Sequence, residues 1–310
     1  MRSNGEPWPK VSIVTPSYSQ GQYIEETIRS ILLQGYPNLE YIVIDGGSDD
    51  ETVDILEKYD PWLDYWVSEL DEGQSDAIQK GLDRCSGTVF NWINSDDLLE
   101  PGALATIGQH IDGHDAVIGL GRHFTEEESW LEDTYNFAPK PLLRGFGREE
   151  GCGFTQQAVW LRTEQVKACG GVAPSFHYAM DRELYVRYTY EYPDVRYVDE
   201  PLARFRLHDD SKSEQSGLGE KADNPFRQDF VRMAKKIREM DAYADLHDLC
   251  DERIAWWEWL FCIARLRREK ARSRFGRTAE LLWKALRNPR RRMNRFTFGA
   301  ARQILKGESP

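Results

Sequence analysis

Four apolar runs, and the amphipathic stretches between them, set the fold class of this chain. The runs are VSIVT (Val11–Thr15), EYIVI (Glu40–Ile44), the weaker YWVSE (Tyr65–Glu69) and TVFNWI (Thr88–Ile93). Each is short and rich in β-branched or aromatic residues. The segments that follow the first three have helical spacing. In YIEETIRSILLQ, Ile24, Ile28, Ile31 and Leu32 share one face. TVDILEKY follows an acidic turn that suits the helix dipole, and SDAIQKGLDR offers Ser75 as an N-cap. Strand–loop–helix units in series predict an α/β fold with a mostly parallel sheet flanked by helices. Ligands of such sheets sit at the carboxyl ends of the strands. The loops beginning at Pro16, Asp45 and Asn94 are therefore expected on one rim.

The third of these loops lies within NWINSDDLLEP and delivers two adjacent carboxylates, Asp96 and Asp97. Like charges this close repel unless water or a cation attends them. A solvated turn is the alternative, and Asp-Asp recurs at Asp49–Asp50 and Asp209–Asp210, so the dipeptide alone decides nothing. Its place after a strand, with DGGSDDE arriving from the neighbouring loop, favours a site. DGGSDDE also reads as a glycine turn in which Asp49, Asp50 and Glu51 cap the next helix. A Rossmann dinucleotide site is excluded: no Gly-x-Gly-x-x-Gly follows the first strand, and GLGRHF (Gly119–Phe124) lacks the third glycine.

At 310 residues the chain is long enough for one large domain and an extension. MRSNGEPWPK has no apolar core and is not a signal peptide, and IAWWEWLFCIA (Ile254–Ala264) is too short to span a bilayer. Five scattered cysteines without a Cys-x-x-Cys favour a reducing compartment over a zinc site or a disulfide framework. The net charge of −12 hides an asymmetry. Residues 261–306 hold fifteen Lys/Arg and two Asp/Glu, a balance of +13, which leaves −25 for the remainder.

The segments VSIVTPSYSQGQYIEETIRSIL, YIVIDGGSDDETVDIL, DEGQSDAIQKG and NSDDLLEPGAL closely resemble the nucleotide-sugar-binding half of family-2 inverting glycosyltransferases, which have the GT-A fold. FTQQAVWLRTEQVKACGGVAPSFHYAMDRELYVR (Phe154–Arg187) is similar to the acceptor side of that family, and RFRLHDDSKS (Arg204–Ser213) to its closing histidine segment. The resemblance implies a GT-A domain over residues 1–215, with a nucleotide-sugar half at about 10–112 and an acceptor half at about 113–215. Residues 216–310 are then a helical, Arg-rich region. The implied activity is inverting transfer of a sugar from a nucleotide-diphosphate donor, UDP by family habit, to a hydroxyl of a glycan or lipid-linked saccharide in polysaccharide or cell-surface glycan biosynthesis.

The departing diphosphate needs its charge neutralised, which a divalent cation held by carboxylate does as a Lewis acid; all-oxygen ligation suits Mn²⁺ or Mg²⁺. The resemblance makes Asp96 the principal protein ligand and brings Ser95 to the donor. Where the family usually has the first Asp of Asp-x-Asp, this chain has Asn94, which lowers the charge of the site. Asp97 either supports the ligands or caps the next turn. Thr15, Pro16 and Tyr18 are expected to meet the nucleotide base through the backbone, with Asp45 on the nucleoside. Asp71 and Asp76 of DEGQSDA are expected to line the donor, or else to be a loop acid and a helix-start acid; Gln79 stands where the family usually has Asn.

Asp181 is the expected general base. Inversion needs one group to take the acceptor hydroxyl proton, and a diphosphate leaving group needs no acid. Read from spacing alone, Asp181 is an N-cap, and the two roles are compatible. His208 is a candidate for metal or diphosphate, Gln156 and Gln157 for the acceptor sugar. Trp62, Trp66 and Trp160 read as core.

Past Ser213 the resemblance stops. Asn224–Leu249 is helical by period, and the segment beyond it combines Trp, Phe and Leu with many arginines. That composition fits helices on an anionic membrane surface, making the protein cytoplasmic and peripheral on the inner face; a packed helical hairpin or a subunit interface is the alternative. No nucleic-acid motif is present. Oligomeric state is open. Two other functions stay in view: a sugar nucleotidyltransferase, although PSYSQGQ lacks the basic residues of a phosphate loop, and a non-catalytic sugar-nucleotide-binding or scaffold protein.

Overall fold

The computed structural model describes residues 1–2, 5–145, 149–208, 211, 225–269, 272–287 and 295–306. They divide into two compact units, Met1–Glu214 and Gln215–Pro310.

In the first unit, β1 (Val11–Ser17), β2 (Leu39–Asp45), β3 (Tyr65–Ser68) and β4 (Val89–Trp92) pair in parallel in the order β3-β2-β1-β4. Helices α1 (Gly21–Leu32), α2 (Thr52–Tyr59) and α3 (Gln74–Arg84) make the crossovers, as parallel strands require. Ile24, Ile28 and Ile31 of α1 are fully buried in one cluster with Val11, Ile13 and Val43. Burying each such side chain contributes about 2–3 kcal/mol. On α3, a Cβ at Gly81 would come within 2.4 Å of Val14, so only glycine lets the helix lie this close to β1.

The sheet continues through β8 (Val159–Arg162), β6 (Ala116–Phe124), β9 (Val195–Arg206) and the two-residue β5 (Leu98–Leu99), with β7 (Ser129–Glu132) on β6. This part is mixed: β8 is antiparallel to β4 and β6, β5 to β9 and β7 to β6, whereas β6 and β9 are parallel. Helices α4 (Ala103–His110), α5 (Pro139–Arg144), α6 (Thr163–Ala168) and α7 (Met180–Glu191) complete the unit.

Several expectations need correction. β1 extends to Ser17, so Thr15 and Pro16 are strand residues opposite Val43 and Ile44, and the loop begins at Tyr18. Proline fits here because it stands near the strand end and its φ is compatible with extended backbone. Ser75 is not a cap: Gly73, at φ 111°, precedes α3, and the Ser75 hydroxyl instead donates to the carbonyl of Phe176. Trp160 is core and Trp66, half-buried with its indole N–H on Asp60, packs against that core, but Trp62 is 61% exposed on a short turn after α2.

The second unit is helical. Pro225 opens the helix Pro225–Glu239, and a tight turn over Asp241–Leu246 breaks the longer helix expected to reach Leu249. Tyr243 leaves helical geometry there, with φ −111° and ψ 33°. Helices His247–Arg268, Arg274–Leu286 and Arg295–Lys306 follow and share a core of Trp259, Ile263, Leu266, Leu281, Ala300 and Ile304.

Candidate active site

The loop after β4 is held from every side. Asp97 is fully buried, and its Oδ1 accepts the backbone N–H of Arg206 at 3.0 Å. Its Oδ2 accepts the amides of Asn94, at 3.0 Å, and Gln157. Burial and the adjacent Asp96 charge push the Asp97 carboxyl well above the usual range, against those three donors. Asp97 therefore anchors the loop and does not cap the next turn. Asp96 points to the rim, where His208 Nε2 stands 3.0 Å from its Oδ2. Ser95 is buried, and its carbonyl accepts from Thr27 at 2.9 Å.

Arg206, at the end of β9, joins this loop to α1. Its guanidinium donates to the Asp96 carbonyl at 2.9 Å and to Glu26 at 2.6 Å, and lies over the ring of Tyr23. Tyr23 also packs on His208, with ring centroids 4.8 Å apart. Sequence reading passed over Arg206, although RFR at period two on a strand places two arginines on one face.

At the ends of β1 and β2 the side chains serve the loops first. Asp45 is buried; its Oδ2 accepts from the Gly47 and Ser48 N–H groups and the Ser68 hydroxyl, and its Oδ1 from the Ser48 hydroxyl. Asp71 packs against Gly46, where a Cβ would stand 2.9 Å from its carboxylate, and accepts from Gly73 N–H. Asp76 accepts from Glu72 N–H and pairs with Lys80 at 3.2 Å, in keeping with a helix-start acid. Thr15 faces the core against the Tyr41 hydroxyl, and Tyr18 is 65% exposed. Asp50 has the capping role that its position suggested: Oδ2 takes Gly21 N–H at the head of α1, and Oδ1 takes Thr52 N–H at the head of α2. Ser17, also passed over, ends β1 with a buried hydroxyl that has no partner among the described residues.

Asp181 is the second residue of α7, one position inside the helix and not at its N-cap, which is Ala179. Its Oδ1 accepts Arg182 N–H at 2.6 Å, and burial raises its carboxyl despite the neighbouring Arg182 charge. A carboxylate held above its ordinary range is a better proton acceptor near neutral pH. The helix is fixed from within: Arg187 pairs with Glu183 at 2.7 Å, both buried, and donates to the carbonyls of Cys169 and Gly171 around the paired-glycine turn. Gln79 reaches the same turn, accepting from Val172 N–H at 2.8 Å.

Two adjacent residues connect the two sides. Gln74 donates to the Asn94 side chain at 2.6 Å, and the Ser75 hydroxyl lies on Phe176 and, at 2.7 Å, on Met180 sulfur, next to Asp181. The start of α3 thus touches both the NSDD loop and the head of α7.

Of the two glutamines, Gln157 is a correction. Gln157 is 2% exposed and spent on Asp97, and Gln156 donates its amide to the Asn91 side chain and the Trp92 carbonyl. Both brace β4 and its loop; Gln157 is withdrawn from any acceptor by burial, whereas Gln156 is half-buried.

Among the described residues no three carboxylate, imidazole or thiol groups converge on one point. Asp96 and His208 are the pair available to a cation. Their 3.0 Å separation is that of an ordinary N–H···O hydrogen bond, which a bound cation would replace. His208 Nδ1 is buried with no partner among the described residues, while Nε2 faces the Asp96 carboxylate and is the nitrogen a cation would take. The pair would hold one side of a divalent cation, with oxygen and imidazole donors that suit Mn²⁺ or Mg²⁺. Asp209 and Asp210, next in sequence, lie outside the described residues.

The model of the family described as glycosyl transferase family 2 matches residues 12–177. An uncharacterized glycosyltransferase of Rickettsia typhi is 26% identical over 215 residues, covering 65% of each chain, so this chain spans just under two thirds of that relative. A putative teichuronic acid biosynthesis glycosyltransferase, TuaG of Bacillus subtilis, is 39% identical over 92 residues, 29% of this chain and 36% of that protein. Two solved structures share the α/β GT-A fold. S. aureus TarS 1–349 in complex with UDP-GlcNAc has a TM-score of 0.61 at 17% identity, covering 81% of this chain and 72% of that one. The mannosyltransferase PcManGT from Pyrobaculum calidifontis, in complex with GDP-Man and Mn²⁺, has 0.59 at 18%, covering 99% and 92%.

Proposed function

The chain belongs to glycosyl transferase family 2, and on that premise we propose that it transfers a sugar, with inversion, from a nucleoside-diphosphate donor to a saccharide hydroxyl. The observation that carries this reading is the bridge at the start of α3. Gln74 and Ser75 set a cation-ready loop and a buried carboxylate on either side of one helix end.

In this reading the loops after β1 and β2 receive the nucleoside, Tyr18 and the backbone near Asp45 doing the work. Asp96 and His208 hold Mn²⁺ or Mg²⁺. A cation bound there supplies Lewis-acid neutralisation of the departing diphosphate. Asp181 accepts the proton of the acceptor hydroxyl as that oxygen attacks the anomeric carbon; among the described residues no side chain bonds to its carboxylate. Arg182 stands beside it as a fixed positive charge. Asp71 completes the donor side by bracing Gly46. UDP is the favoured nucleotide, supported by the UDP-GlcNAc complex of TarS, and a polysaccharide or lipid-linked glycan the favoured acceptor, supported by the name of TuaG. Use of a nucleotide sugar and five free cysteines suit the cytoplasm.

A nucleotidyltransferase is disfavoured because the loop from Tyr18 to Gln20 has no basic side chain to cradle a triphosphate. Calorimetry of UDP, GDP and dTDP, each with Mn²⁺ and again with EDTA, tests the reading. Selective, metal-dependent binding of one nucleotide supports it. Binding that ignores EDTA retires the metal role of Asp96 and His208. No binding at all favours a scaffold.

A further inference from the structure

The helix Arg274–Leu286 is buried along one side and apolar along the other. Thr278, Leu281 and Ala285 face inward. Phe275, Ala279, Trp283 and Leu286, spaced four, four and three residues apart, form a stripe on the outer side. Phe275 is 79% exposed, Trp283 53% and Leu286 63%. Helix Arg295–Lys306 repeats the pattern, with Ala300, Ala301 and Ile304 inward and Phe298, Arg302 and Leu305 outward. Arg274 donates to the Lys306 carbonyl at 3.4 Å, so the two helices are antiparallel, with Phe275 and Leu305 at the same end. Aromatic stripes left in water mark a surface meant to be covered.

Charge identifies the cover. Among the described side chains of these two helices and their ends, Arg272, Arg274, Arg287, Arg302 and Lys306 are exposed, and the one acid, Glu280, is already paired with Arg272 at 2.6 Å and Lys284 at 2.7 Å. The same face of a second copy would set these exposed cations against their like. A nucleic acid would take the arginines but leave Phe275, Trp283 and Leu286 in water. A lipid interface accepts both, with aromatic rings at headgroup depth and arginines on anionic headgroups. No described helix is long and apolar enough to cross a membrane. We propose that this outer face docks the protein on an anionic lipid surface, with Phe275, Trp283 and Leu286 as its apolar contacts. The proposal deepens the reading of a lipid-linked acceptor, but its test does not depend on transfer.

The test is co-sedimentation of the full chain with phosphatidylcholine vesicles, with and without phosphatidylglycerol. Binding is expected only with phosphatidylglycerol, weakened but not lost at about 0.5 M salt, because apolar contact survives screening. The variant Phe275→Ser/Trp283→Ser/Leu286→Ser changes only exposed side chains and is expected to bind about tenfold or more weakly. The variant Arg274→Glu/Arg302→Glu is expected to remove the lipid selectivity. Circular dichroism checks that both fold, and transfer to a soluble acceptor stays at the parent level. The idea is overturned by three outcomes: equal binding to both vesicles, a triple-serine variant that binds like the parent, or a parent dimer that the variant dissociates without vesicle binding. Loss of transfer in a vesicle-binding parent would strike the transferase reading alone.

Discussion

His208 Nε2 and Asp96 Oδ2 stand 3.0 Å apart across 112 positions of sequence. The contact brings the end of the β9 segment over the loop after β4, and Arg206 holds it there through the Asp96 carbonyl and the Asp97 carboxylate. The two proposed cation ligands therefore stand side by side in the protein alone.

Removing either partner should uncouple nucleotide binding from metal. Asp96→Asn and His208→Ala are each expected to weaken Mn²⁺-dependent UDP binding by about 10–100-fold, read by calorimetry. The same affinity in EDTA should barely change. A variant that keeps full metal dependence has not lost a ligand.

Asp181→Asn separates chemistry from binding. Loss of the general base should lower kcat by about 10²–10⁴-fold with UDP affinity unchanged. Stability should hold or rise. Burial raises the Asp181 carboxyl, so the folded state favours the protonated form and loses stability as pH rises from the unfolded to the folded pKa. The uncharged amide avoids that cost, and its melting temperature at neutral pH should equal or exceed the parent's.

The same shift predicts the acid limb of the rate. Transfer needs Asp181 ionised, and its raised carboxyl places the fall in kcat/KM at a higher pH than an ordinary aspartate would. A profile measured at saturating metal, flat down to the usual carboxylate range, would rule out Asp181 as the titrating base.

Asp97→Ala should destabilise the fold before it affects chemistry. It leaves the Arg206 N–H and the amides of Asn94 and Gln157 without their acceptor. A donor stranded in a buried site costs about 1–3 kcal/mol, and with water partly re-pairing the three, an overall loss of about 3 kcal/mol is expected from urea denaturation.

Glu40 sets an acid sensitivity remote from the site. Burial alone would raise its carboxyl, but bonds from Lys10, Ser12 and Ser86 outweigh that and bring it down to about 2. Because the folded value is depressed, its contribution is present above the unfolded pKa and disappears as pH falls towards 2. Glu40→Gln should cost about 1–2 kcal/mol at pH 7. The difference between variant and parent should shrink steadily below pH 4.5, the ordinary value of the group.

The strands and helices up to Arg84 were legible because periodicity is local: Ile24, Ile28 and Ile31 declare their face within two turns. Pro16 misled because proline usually breaks a strand, yet near a strand end its missing N–H leaves no ladder bond unmade. The ties that shape the site were invisible for another reason. Gln157 meets Asp97 across 60 positions and Arg206 meets it across 109, and nothing in local spacing encodes a contact at that range. The glutamines look like sugar-binding amides in sequence because the same chemistry serves a buried carboxylate. Asp181 was placed on its helix by motif, whereas its burial came only with the packing of α7.

Asp50 ends the heads of α1 and α2 with a single carboxylate, while Ser19 N–H meets the Ser48 hydroxyl and Gln20 N–H the Thr52 hydroxyl. These two loops are consequently one structural unit. A chimera that swaps the first loop to change base preference, and keeps the second, inherits mismatched stitching. If these loops receive the nucleoside as proposed, a change of base preference has to move both together or find a new residue to tie them.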